Sequence, residues 1–169
     1  MPKTKVQGVV FGLLMSVTMA YGMEVYNVAL KEGGLSAMTN RVFWDALLET
    51  AYMWILVFLF SSLWGNRLGH ALAERICRPE DSPFLRTLLM SGCTVLVMCP
   101  TMSLVAAVLF STILAGGSWS QLPAYWVGTV LKNFPMALLW NLFAAGPVSR
   151  LVFRRIFARQ LAEGTPKAA

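Results

Sequence analysis

Forty-five consecutive residues, 87–131, carry no Asp, Glu, Lys or Arg. A soluble domain cannot hide such a run, because charged side chains make up about a quarter of its residues. The run is also more than twice the roughly 20 residues that one helix needs to cross the hydrocarbon core. It therefore predicts two crossings joined by an uncharged turn. Charge-free stretches at 6–23, 50–66 and 133–149 repeat the pattern. Together they predict four spans, at roughly residues 7–31, 43–64, 86–114 and 124–147. Composition agrees: 57% of the 169 residues are hydrophobic and 13% are charged. That balance excludes a soluble globule, a disordered chain and a disulfide scaffold. Continuous apolar runs, rather than alternating ones, argue against a β-barrel. The expected fold class is an all-α, polytopic membrane protein with four transmembrane helices.

Charge at the span ends predicts orientation. Lys3 and Lys5 precede the first span, and Arg67, Arg75, Arg78 and Arg86 lie between the second and third. Arg150, Arg154, Arg155, Arg159 and Lys167 follow the fourth, whereas the opposite side has only Lys31 and Arg41. By the positive-inside rule both termini are expected in the cytoplasm. The net charge of +6 is thus assigned to membrane topology, and no nucleic-acid partner is expected. The apolar run after Lys3 and Lys5 is read as a span, not as a cleaved leader, since Glu24 and Asn27 follow it without a small-residue cleavage site.

Local punctuation supports these limits. Gly33-Gly34 and Gly116-Gly117 are suited to ending the first and third spans. Ser82-Pro83 suits the start of the third, and Pro123 the start of the fourth. Asn66 to Cys77 is expected to continue the second span as an interfacial helix. Trp44, Trp119, Tyr125 and Trp126 are expected at the outer interface and Trp64 at the inner one.

The two halves resemble each other. Leu13-Leu14-Met15-Ser16 matches Leu88-Leu89-Met90-Ser91 at an offset of 75, and Arg67-Leu68 matches Arg150-Leu151 at an offset of 83. Residues 7–77 and 83–157 then form two hairpins related by an axis along the membrane normal, followed by a cytoplasmic tail, 158–169. The Leu-Met-Ser opening, the methionines at four-residue spacing and the Arg-Leu ending resemble a family of small bacterial two-helix membrane domains of unknown function. Met90-Ser91, Trp126, Asn133-Phe134-Pro135 and Arg150-Leu151 make the second copy the better match. The architecture is also similar to the proteobacterial antimicrobial compound efflux family, which has four helices from two tandem hairpins and a functional Glu in its first helix. Glu24 is the candidate for that role, although Met23 departs from the family's Phe-Glu pair and its Arg-x-x-His motif is absent. These resemblances imply a bacterial inner-membrane location.

An ionisable side chain inside a span costs about 2.5–3.5 kcal/mol on insertion scales, so it needs a partner or a function. Glu24, Glu49 and Lys132 lie at similar expected depth, below the outer boundary. With offsets of 75 and 83, Glu24 is equivalent to Cys99, and Glu49 to Lys132. Should Lys132 pair with one carboxylate, the other has no fixed cation and can exchange a proton for a cationic ligand. Asn27, one turn from Glu24, is expected to hydrogen-bond to it. Gly8, Gly12, Ser16 and Ala20 form a small-residue ridge leading to Glu24, and spans one and three are expected to pack centrally along it. Pro100 and Pro135 are expected to kink their helices and free carbonyls toward a cavity or into kinked packing.

Sulfur offers a third chemistry. Met15, Met19 and Met23 line the first span, and Met90, Met98 and Met102 share the third with Cys93 and Cys99, a donor set suited to Cu(I). Packing is the ordinary use of methionine, and no metal site is assigned. Cys77, Cys93 and Cys99 form no disulfide framework. There is no nucleophile–base pair, phosphate loop or zinc spacing, so the chain is not expected to be an enzyme or to need a cofactor. Two function classes follow: a proton-coupled transporter of small cationic or lipophilic compounds, or a non-catalytic assembly protein with a structural charged layer. Expected partners are the lipid bilayer and a second copy of the chain; the substrate is left open.

Overall fold

The structure is a computed structural model that describes residues 4–78 and 80–158. Lys3, Arg159, Lys167 and the tail beyond residue 158 lie outside the described residues. Six α-helices carry the fold: α1 (Lys5–Lys31), α2 (Asn40–Phe60), α3 (Asn66–Ile76), α4 (Pro83–Ala106), α5 (Leu122–Trp140) and α6 (Gly146–Ile156). The Thr4 hydroxyl caps α1 by accepting from the Gln7 N–H at 3.2 Å. Ser82 caps α4 in the same way by accepting from Leu85, with Pro83 at the first helical position as expected. After α1 the chain turns through Gly33 and Gly34 at φ 115° and 97°, where a Cβ is disfavoured. Gly116, at φ 64°, makes the corresponding turn after α4.

Four helical segments are long and apolar enough to cross a membrane: Lys5–Lys31, Asn40–Ile76, Pro83–Leu114 and Trp119–Ile156. The second and fourth, of 37 and 38 residues, are about 55 Å long at a rise of 1.5 Å per residue, well beyond a hydrocarbon core of about 30 Å. In both, a five-residue π-helical joint, Ser61–Gly65 or Asn141–Ala145, links a longer helix to an 11-residue one. The extension through α3 matches the sequence reading. The extension through α6 corrects the expected end near residue 147. Ser149 and Phe153 are buried while Arg154 and Arg155 are exposed, so α6 is amphipathic enough to continue past the apolar run.

Packing follows a ring with crossed ends. The α1–α2 and α4–α5 hairpins lie side by side. Each 11-residue helix leaves its own hairpin: α3 packs on α4, and α6 packs on α1. Burial repeats between the halves. Ala20, Glu24 and Val28 of α1 correspond to Val95, Cys99 and Ser103 of α4, at the offset of 75. In the longer segments Met53, Gly65, Gly69 and Ala73 correspond to Asn133, Ala145, Ser149 and Phe153, at an offset of 80 rather than 83. On that register Glu49 corresponds to Thr129, and Lys132 to Tyr52, which corrects the expected equivalence of Glu49 and Lys132.

The centre is also built differently from the expectation. α1 faces α4 and α5 across the centre, through Met19 and Met23 against Val95 and Cys99 of α4 and Ala137 of α5, instead of joining α4 along small residues. Within the expected ridge, Ser16 and Ala20 are buried, Gly12 faces Phe58 of α2, and Gly8 has open space around it. The closest approaches occur at other glycines. A Cβ on Gly69 would lie 2.8 Å from the Thr94 Cα, and Gly22 lies under the Trp140 indole. The ridge was read from spacing along one helix, whereas close packing depends on what the partner presents.

Candidate functional site

At the end of the bundle that carries the α1–α2 turn, the antiparallel hairpin brings Glu24 and Glu49 together. Glu24 is 4% exposed, one of few charged groups withdrawn into the core. Its electrostatic neighbours are the Glu49 carboxyl, the Lys31 ammonium and the Asn27 amide. Tyr52, about one turn after Glu49 on α2, lies within the field of both carboxyls. A well-packed apolar cluster of Val28, Ala29, Val42 and Ala46, with Tyr21 and Val25 against it, holds the two helices in this register.

The cation in the site is Lys31. Its Nζ donates to both carboxylate oxygens of Glu49, at 3.1 and 3.2 Å. The same Nζ stands 4.3 Å from the centroid of the Phe110 ring, which belongs to the π-helical extension of α4, Ala107–Leu114. One ammonium therefore ties α1, α2 and α4 together. The sequence reading placed Lys132 here. Lys132 instead lies exposed on α5 and makes no ion pair among the described residues; its backbone carbonyl accepts a hydrogen bond from the Tyr26 hydroxyl at 3.2 Å. Depth alone put Lys132 in the layer, but helical phase turns its side chain outward. Lys31 went unrecognised because it ends the apolar run and reads as a loop charge. Phe110 carries no signal in the sequence, since only the tertiary fold brings it to Lys31.

Two carboxyls and one ammonium leave one carboxyl without a fixed counter-ion. Exposure is graded: side-chain exposure is 49% for Lys31 and 22% for Glu49, and Glu24 lies innermost. The second ion pair, Arg41 with Asp45 at 3.3 Å, is a surface pair within α2 and stands apart from this group.

Pro100 and Pro135, expected to free carbonyls toward a cavity or into kinked packing, stand inside α4 and α5. Pro135 is exposed and Pro100 half-buried. The Thr101 hydroxyl donates to the Val97 carbonyl beside the Pro100 break, and the Trp126 indole N–H donates to the Pro100 carbonyl at 2.9 Å. These bonds reach the Val97 and Pro100 carbonyls, one residue past and four past the Leu96 carbonyl that loses its donor at Pro100. Trp126, expected at the interface, is a brace between α5 and α4; Trp140 likewise donates to the Thr18 carbonyl of α1 at 2.9 Å. Trp44 and Trp119 are exposed, as interfacial side chains would be. An open apolar groove of about 400 Å³ runs between α3, α4 and α5, past Leu72, Leu88, Cys93, Leu96, Phe134 and Leu138. Cys93 and Cys99 are buried, Cys77 is half-buried, and all three are free. No group of three His, Cys, Asp or Glu side chains among the described residues is placed to hold a metal ion.

Comparison with known proteins gives two matches. Residues 80–157 match a family described as a domain of unknown function (DUF2798). Over 168 residues the chain is 31% identical to the uncharacterized protein YybC of Bacillus subtilis, covering 95% of this chain and 98% of the relative. No solved structure matches the chain.

Proposed function

The chain belongs to the same family as YybC, and we propose that it is a multi-pass membrane protein that exchanges a proton for a small organic cation at Glu24 and Glu49. One observation carries this reading. A withdrawn carboxyl, Glu24, stands beside a second carboxyl whose single cation is already engaged. A carboxyl in that position can hold a proton or a cation, and taking one expels the other. The role is binding and transport rather than catalysis, and it needs no cofactor. The four apolar helices and the distribution of Lys and Arg support insertion in a bacterial inner membrane with both termini in the cytoplasm. The recurrence of buried positions supports an origin in two tandem hairpins, and the exposed apolar faces leave room for a second copy of the chain.

A second reading rests on the same ion pair. Lys31 and Glu49 fix the register of α1 on α2, so the charges could serve assembly alone. The two readings separate in one experiment. Proton release is measured on adding tetraphenylphosphonium, other lipophilic cations or Cu(I) to the purified protein and to Glu24→Gln. Release by the wild type alone supports exchange, and release confined to Cu(I) would redirect it to the sulfur cluster of Met19, Met23 and Cys99. If nothing in the panel binds or releases protons, the assembly reading replaces transport.

A further inference from the structure

We infer that the Lys31 ammonium is a tethered occupant of the cation seat, holding the place that an external organic cation takes. The inference rests on the exchange reading and names its ligand class: a monovalent ammonium or phosphonium whose charge can be shared between carboxylates and an aromatic face.

The seat has the components such a cation requires. Glu49 offers both oxygens, at 3.1 and 3.2 Å from Nζ. Phe110 offers its ring face at 4.3 Å from the same atom, within the roughly 6 Å range of a cation–π contact. Glu24 lies behind Glu49 as a second carboxyl. These three side chains come from α2, α4 and α1, so the seat exists only in the folded bundle. What fills it is a cation on a flexible stem. Lys31 is the last residue of α1 and is followed at once by the Gly33-Gly34 turn. Its side chain is the most exposed of the ion pair, 49% against 22% for Glu49. The ammonium thus lies nearest the surface, with the carboxyls further in. When it swings out, it leaves both the carboxylate and the ring face vacant.

A tethered competitor lowers apparent affinity according to its effective concentration, typically millimolar for a short tether. Removing its charge should therefore tighten ligand binding. Equilibrium binding of tetraphenylphosphonium to the full chain in detergent is compared for wild type, Lys31→Gln and Lys31→Arg, with thermal unfolding of each as a check on folding. Lys31→Gln should bind more tightly than the wild type, by a factor set by the ratio of the tether's effective concentration to the ammonium's own dissociation constant; Lys31→Arg should bind as the wild type does. Adding Phe110→Leu to Lys31→Gln should remove the gain. A parallel readout needs no variant: saturating tetraphenylphosphonium should raise the rate at which acetic anhydride acylates Lys31 in the wild-type protein, followed by mass spectrometry. If the wild type binds the cation, but Lys31→Gln binds no more tightly and Lys31 acylation is unchanged or slowed, the tethered-occupant inference falls and the exchange reading survives. Absence of binding to the wild type and to Lys31→Gln alike overturns both.

Discussion

The first hairpin places a carboxyl where the second places a thiol. Glu24 and Cys99 occupy corresponding buried positions on α1 and α4, exposed by 4% and 7%. Around Cys99 the neighbours are apolar side chains and the Ser103 hydroxyl, 3.9 Å from its sulfur. Around Glu24 they are Glu49, Lys31 and Asn27. The fold therefore tolerates a small polarisable group at this position and does not require an acid. An acid retained against an insertion cost of about 2.5–3.5 kcal/mol needs another reason, and binding a cation or proton supplies one. The two 11-residue helices differ in a second way. Gly69 lets α3 approach the α4 backbone, whereas the corresponding buried position on α6 is Ser149, whose hydroxyl has no partner among the described residues.

Substitutions can break or sharpen this comparison. The largest effect is expected from Gly69→Leu. The new side chain would meet the Thr94 backbone at 2.8 Å, and overpacking of this kind typically costs about 1–3 kcal/mol or more. Thermal unfolding in detergent should show it, while Gly8→Leu, with open space around Gly8, should leave the transition in place. Equal losses would mean that the ridge read from the sequence bears as close a contact as α3 makes with α4.

Next comes Glu24→Cys, which gives the first half the residue of the second. Folding should persist, with all ligand-driven proton release lost. An unfolded variant would show that the carboxyl is structural after all, and the contrast between the halves would lose its meaning. Trp140→Phe and Trp126→Phe should each remove one indole N–H bond to a backbone carbonyl, for about 1 kcal/mol apiece. Similar losses are expected, because both braces join α5 to a first helix of a hairpin. The smallest change belongs to Ser149→Ala. Deleting a buried hydroxyl that lacks a partner should leave stability unchanged or raise it by about 1 kcal/mol. A clear loss would reveal a partner for Ser149.

The four long helical segments, the Ser82-Pro83 start and the glycine turns were legible in the sequence, because each rests on local chemistry. Long charge-free runs have one solvent in which they are stable, Ser82 with Pro83 marks a helix start, and paired glycines mark an end. Glu24, Glu49 and Asn27 were legible for a related reason: polar groups are costly within apolar runs wherever the neighbours lie. What remained hidden depends on rotation about helix axes. Lys132 and Lys31 are both lysines near span boundaries, and only the phase of α5 and the antiparallel return of α2 decide that Lys31 meets Glu49. Phe110 reaches the same ammonium because α4 continues through a π-helical stretch to that depth. The crossing of α3 onto α4 and of α6 onto α1 was equally beyond the sequence, since hydrophobicity states that a face must be buried and leaves its partner open. Composition and periodicity thus determined the spans and their order, while side-chain geometry between helices chose the cation, its aromatic neighbour and the glycines that bear the closest contacts.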